Sequence, residues 1–301
     1  MYGAIAPLVG ALVTVMSGIN SRLSELVGPV VAVLVIHTVG LAAIACVSLA
    51  RRDRALPGRI PPWFYLGGLV GVVTVFSSNY AFSTLGASMT VAVALLGQTI
   101  FSIAADTSGF PGRARYPLSV RRIPGIAVAL AGVAVMGGDW RLAGPAMLVA
   151  FAAGISSGFS TVLNAGLGRR KGVLHSVRAN YIVGLATTAA IATFVRPSLQ
   201  ASSTAIGAAG LILVLGGGLI GIVVVSTVNI IVPRLPVFTF TVLMFTGQTV
   251  AGVLIDAFRD GEVDFRKVLG TGVLLFGLAL DTLLSSRGKA HPTVAEKTEK
   301  T

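Results

Sequence analysis

Long apolar stretches alternate with short polar or charged links along almost the whole chain, with approximate limits 3–21, 28–50, 63–82, 87–105, 123–138, 143–165, 175–195, 206–228, 237–255 and 268–286. A helix needs about 20 residues to cross about 30 Å of hydrocarbon, so the pattern predicts an all-α polytopic membrane protein with ten transmembrane helices. The runs are continuous and do not alternate, which excludes a β-barrel. Pro29, Pro124 and Pro145 fall in predicted first turns, where a missing N–H costs nothing. Trp63, Tyr65 and Trp140 stand at span edges, as interfacial aromatics do.

The pattern repeats. Asn20 to Leu41 matches Asn164 to Leu185 at an offset of 144, pairing Gly28 with Gly172, His37 with Tyr181 and Gly40 with Gly184. Gly67-Gly68-Leu69-x-Gly71 matches Gly217-Gly218-Leu219-x-Gly221 at an offset of 150, which also pairs Asn79 with Asn229 and Gly97-Gln98-Thr99 with Gly247-Gln248-Thr249. Asp106 and Asp256 follow those motifs at the same distance, and Gly125 and Gly132 match Gly270 and Gly277 at an offset of 145. The offset changes only in links, as insertions require. The predicted units are 1–141 and 142–286, followed by a polar tail over 287–301.

Five helices per unit is an odd number, so the second unit must enter the membrane upside down. Charge agrees with that expectation. The links after the second, fourth and sixth helices carry Arg51, Arg52, Arg54 and Arg59, then Arg113, Arg115, Arg121 and Arg122, then Arg169, Arg170 and Lys171. These links share one face, which the positive-inside rule makes cytoplasmic, together with both termini. On the opposite face, the link after the ninth helix is mixed, with Asp256, Arg259, Asp260, Glu262 and Asp264.

Composition narrows the function classes. The mean hydropathy is +0.87, and only 11% of residues are charged. The net charge of +12 comes from residues flanking the apolar spans, so orientation in a bilayer explains it and nucleic acid is not a predicted partner. One cysteine, Cys46, excludes an internal disulfide and a cysteine metal site. There is no nucleophile elbow, no metal-ligand cluster and no phosphate loop, so the chain is predicted to be neither an enzyme nor cofactor-dependent. The predicted partners are a small-molecule substrate and the lipid bilayer, and a homodimer is compatible with the pattern.

Inverted repeats suggest a secondary transporter, whose substrate site lies near the midplane between the halves. Polar residues inside the spans are the candidates for that site. Gln98, Gln248, Asn79, Asn229 and His37 are the predicted substrate-binding set. Interhelical hydrogen bonding is the competing account of each. Asp106 and Asp256, at helix ends, are candidates for a gate or for proton coupling, against a plain interfacial role. Asn20 and Asn164 are expected at helix termini. Arg178 either meets an anionic substrate or reaches the cytoplasmic surface.

The run Gly-Gly-Leu-x-Gly, then Gly-Gln-Thr with its later Asp, together with Asn-x-x-Leu before the second helix, resembles the YdcZ-like inner-membrane exporters of the drug/metabolite transporter superfamily. The resemblance spans about 3–286, as two five-helix units in tandem. It implies a ten-helix transporter fold and export of a small metabolite or drug-like compound across a bacterial plasma membrane, and it places the family's Gly-Gln and Asp on Gly97, Gln98 and Asp106 and on Gly247, Gln248 and Asp256. Where the family carries a Gln four residues before the Asn, this chain has Met16 and Ser160. A lipid-linked carrier flippase and a non-transporting scaffold subunit are the competing functions.

Overall fold

The computed structural model describes residues 2–110, 115, 120, 123–136, 140–197 and 208–286. Among the described residues ten α-helices follow one another: α1 (Tyr2–Val27), α2 (Pro29–Ala50), α3 (Gly67–Leu85), α4 (Ala87–Ser108), α5 (Ile123–Met136), α6 (Trp140–Lys171), α7 (Val173–Val195), α8 (Ala208–Ile231), α9 (Val237–Asp260) and α10 (Phe265–Ser286). Short 3-10 turns at Pro62–Leu66 and Val232–Arg234 lead into α3 and out of α8. Among the described residues there is no strand. The tail from Arg287 and most of the basic link containing Arg113, Arg121 and Arg122 lie outside the described residues.

Two helices outrun their apolar patterns. The hydropathy of the first span fades at residue 21, yet α1 continues to Val27. Its last turns keep one dry face, with Ser21 and Leu23 buried, and an Arg22–Glu25 ion pair at 2.8 Å on the wet face. Helix α6 likewise continues to Lys171. What stops each helix is a backbone feature: Gly28 has φ 83° and its repeat partner Gly172 has φ 99°, a conformation that glycine alone adopts without strain. Asn20 and Asn164 are therefore in helix interiors, and the expectation that they mark helix ends is corrected.

Among the described residues seven helices are long and apolar enough to cross a membrane: α1 to α4, α6, α8 and α9. Helix α5 is apolar but shorter, and α7 is made more polar by His175, Arg178 and Asn180. Large apolar side chains face outward, among them Leu8, Leu49, Leu148 and Phe258, which suits a surface bathed in lipid. The chain is a multi-pass membrane protein.

The helices of the two units interleave. Helix α1 packs on α9 and α8, and the corresponding α6 packs on α4 and α3. Helix α2 lies against α7, and α5 against α10. Helices α4 and α9 touch each other at the centre and are the most enclosed, with 67% and 56% of their apolar stretches buried against 28% for α1 and α8. Glycine makes the closest approaches possible. A Cβ on Gly97 would overlap the Phe151 carbonyl of α6, and one on Gly247 would overlap the equivalent Pro7 carbonyl of α1. The glycine of each Gly-Gln-Thr motif is thus a packing residue that lets its glutamine stand beside a neighbouring backbone.

Candidate functional site

A cavity of about 210 Å³ lies between the two units. Its wall is built from α1, α2, α3, α4, α6, α7, α8 and α9. All five residues predicted to bind substrate line it: Gln98, Gln248, Asn79, Asn229 and His37. Each is 2–6% exposed. Residues 150 positions apart in the chain are therefore brought to one space, each unit contributing its own glutamine and asparagine.

Their hydrogen bonding is uneven. Gln98 Nε2 donates to Thr241 Oγ1 at 3.4 Å, a long bond, and Thr241 is held in turn by Ser102 at 2.8 Å. The Gln248 amide makes no hydrogen bond to a described residue, although its main-chain carbonyl accepts from Thr14 at 3.2 Å. His37 Nδ1 lies 2.8 Å from the Val33 carbonyl, which fixes Nδ1 as the donor and leaves Nε2 without a proton in the neutral ring.

His37 also takes part in a reciprocal lock between α2 and α7. Its ring occupies the notch left by Gly184, while the Tyr181 ring occupies the notch left by Gly40. The two rings meet edge to face with centroids 5.9 Å apart, and Tyr181 Oη donates to the Gly218 carbonyl at 3.1 Å. The offset of 144 pairs His37 with Tyr181 and Gly40 with Gly184, but a linear sequence does not say that each ring sits on the other unit's glycine.

The second unit's wall forms a connected network. Ser160 Oγ donates to the Gly67 carbonyl at 2.8 Å, and Asn164 Nδ2 donates to Ser160 at 3.2 Å and to Asn180 Oδ1 at 2.9 Å. Ser176 donates to the Asn164 carbonyl at 2.7 Å and accepts from Asn229 Nδ2 at 3.1 Å. Asn20, Met16, Ser160, Asn164 and Asn180 all line the cavity. Sequence reasoning had Asn20 and Asn164 as helix ends. Their recurrence at one offset was the signal that they belong here. Arg178 is not among the lining residues. Its guanidinium lies 3.4 Å from His175 Nδ1, at the start of α7.

Asp106 and Asp256 are elsewhere. The Asp256 carboxylate accepts from the backbone N–H of Ala87 at 2.8 Å and of Ser88 at 3.0 Å, at the first turn of α4. Asp106 accepts from Val237 and Phe238, both at 3.0 Å, at the first turn of α9. The end of each central helix thus caps the beginning of the other. First-turn N–H groups have no intrahelical partner and the helix dipole is positive there, so a buried carboxylate is stabilised at that point. Lys267 adds a contact of 3.1 Å to Asp256. Neither carboxylate lines the cavity; each caps the start of the other unit's central helix. Among the described residues no group of His, Cys, Asp and Glu could hold a metal ion.

Known proteins match this arrangement at two levels. No curated protein matches the sequence. A solved structure described only as "Crystal structure of protein" is similar to it, with a TM-score of 0.64 over 96% of this chain and 99% of its own, at 18% identity, a likeness of fold. A family model described as "Putative inner membrane exporter, YdcZ" matches twice, over residues 1–135 and again over 145–280. Those two segments are the halves whose glutamines and asparagines meet in the cavity, so the chain belongs to the YdcZ family and carries two of its units in tandem.

Proposed function

We propose that the protein is a secondary transporter that moves a small molecule across the plasma membrane by alternating access, in the outward direction that its family description suggests. The observation that carries this reading is the single cavity on which polar side chains of both units converge. Buried amides without full hydrogen bonding are costly in a membrane protein unless a ligand completes them. A volume of about 210 Å³ lies below the 300–1,000 Å³ usual for ligand pockets, which favours a small solute.

The proposed mechanism is rocking of one unit against the other about the cavity. Its basis is an inverted repeat of ten membrane spans, with both termini cytoplasmic and units of 1–141 and 142–286. Three features support that arrangement. Helix contacts come in related pairs, such as α1 on α9 with α6 on α4. The carboxylate caps are reciprocal. The link after the fourth helix is basic, whereas the equivalent link after the ninth is mixed. In a Cys46→Ser background, single cysteines placed in 107–118 and in 257–265 are expected to react with an impermeant maleimide from opposite faces of the membrane. Reaction of both from one face would reject the inverted repeat and the rocking mechanism with it.

A further inference from the structure

Among the described residues, the cavity wall contains no Asp, Glu, Lys or Arg. Its polar groups are the amides of Asn and Gln, the hydroxyls of Ser, Thr and Tyr181, and the His37 imidazole. Helix dipoles do not supply the missing charge. The first turns of α4 and α9 are already occupied by Asp256 and Asp106. A charged solute entering this space would leave water without meeting a counter-charge, a penalty that nothing in the wall offsets.

The two walls also differ in how much hydrogen-bonding capacity is unused. In the second unit Ser160, Ser176 and Asn180 tie up Asn164 and one end of Asn229. The equivalent positions of the first unit hold Met16, Ala32 and Ile36. The bonds that Ser160, Ser176 and Asn180 make in the second unit have no equivalent at those positions. Asn79, only 3% exposed, has an Nδ2 with no partner, and Asn20 Oδ1 and Asn229 Oδ1 are likewise unpartnered. Asn20 Oδ1 fills the space beside Gly217 that a Cβ would occupy. Asn79 Nδ2, Asn229 Oδ1 and the Gln248 amide remain in the cavity wall with hydrogen-bonding capacity unused.

Resting on the transport reading above, we infer that the substrate is an uncharged solute bearing several hydroxyl or amide groups, and that Asn79 on the first-unit wall is its main specificity-determining contact. Such a solute exchanges its water hydrogen bonds for those of the wall, and a solute lacking them leaves buried amides unpaired and is rejected.

The test uses the full chain in liposomes and tracer exchange of two sets of probes, each one scaffold in three charge states. The first is glucose, glucosamine and glucuronate; the second is nicotinamide, 1-methylnicotinamide and nicotinate. In at least one set the neutral member is expected to exchange faster than either charged member by about tenfold or more, the factor that 1.4 kcal/mol of discrimination gives. Asn79→Asp, and Gln248→Glu should that variant fail to fold, are expected to slow the neutral member and admit the cation, a change that a purely structural role would not produce. A charged member exchanging as fast as the neutral one overturns the inference, as does the absence of exchange by all six probes. The transport reading is judged separately by a cysteine at position 78, in the cavity wall. Labelling from both membrane faces upholds alternating access whatever the probes do, and labelling from one face rejects it.

Discussion

Gly247→Ala is expected to strip most of the folded protein from the membrane, at a cost of about 3 kcal/mol, the upper part of the range for overpacking. The added methyl would fall on the Pro7 carbonyl of α1, and the obstacle is backbone that no rotamer change can move aside. To make room, α9 must part from α1, which also lifts Gln248 from the cavity wall and breaks the bond from Thr14 to the Gln248 carbonyl. Gly97→Ala meets the Phe151 carbonyl on α6 and should behave the same way. Gly272→Ala is the control, because its Cβ would meet nothing within 4 Å. The measurement is the abundance and melting temperature of the three variants as fluorescent fusions in mild detergent. Normal abundance of Gly247→Ala would contradict the helix packing described above.

The second large effect is expected at the carboxylate caps. Asp256→Ala leaves the N–H groups of Ala87 and Ser88 buried without an acceptor, and Asp106→Ala does the same to Val237 and Phe238. An N-cap is worth about 1 kcal/mol, and each of the two orphaned buried donors adds about 1–3 kcal/mol, so a loss of at least about 3 kcal/mol per site is expected. Asp→Asn keeps one acceptor and should lose about half of that. The sign of the result separates the two accounts of these residues. Capping lowers the melting temperature and leaves exchange per folded molecule unchanged. A coupling or gating role would abolish exchange at an unaltered melting temperature.

The helical architecture was legible in the sequence because membrane helices leave few choices: apolar runs of a set length mark where the helices lie. The repeat added the pairing of residues, and Gln98 with Gln248 and Asn79 with Asn229 duly meet in one cavity. Helix ends were less legible. Hydropathy fades before the α1 and α6 helices do, since Gly28 and Gly172, not polarity, end them. Nor could a linear pattern show what crosses between units. Asp106 looked like an interfacial acid because its partners, Val237 and Phe238, lie more than a hundred residues away. The same holds for the His37 ring in its Gly184 notch. Contacts that depend on how two helices cross leave no local signature.

The central claim is that the paired glutamines serve the substrate more than they serve the packing. It is tested most directly by Gln98→Ala and Gln248→Ala in the liposome exchange assay, with flux divided by the amount of folded protein. The prediction is normal abundance with exchange reduced by about tenfold or more for each variant, as expected when a hydrogen bond of about 1.5 kcal/mol to a bound solute is removed. Reduced abundance with unchanged flux per folded molecule would make the glutamines interhelical glue and contradict the account.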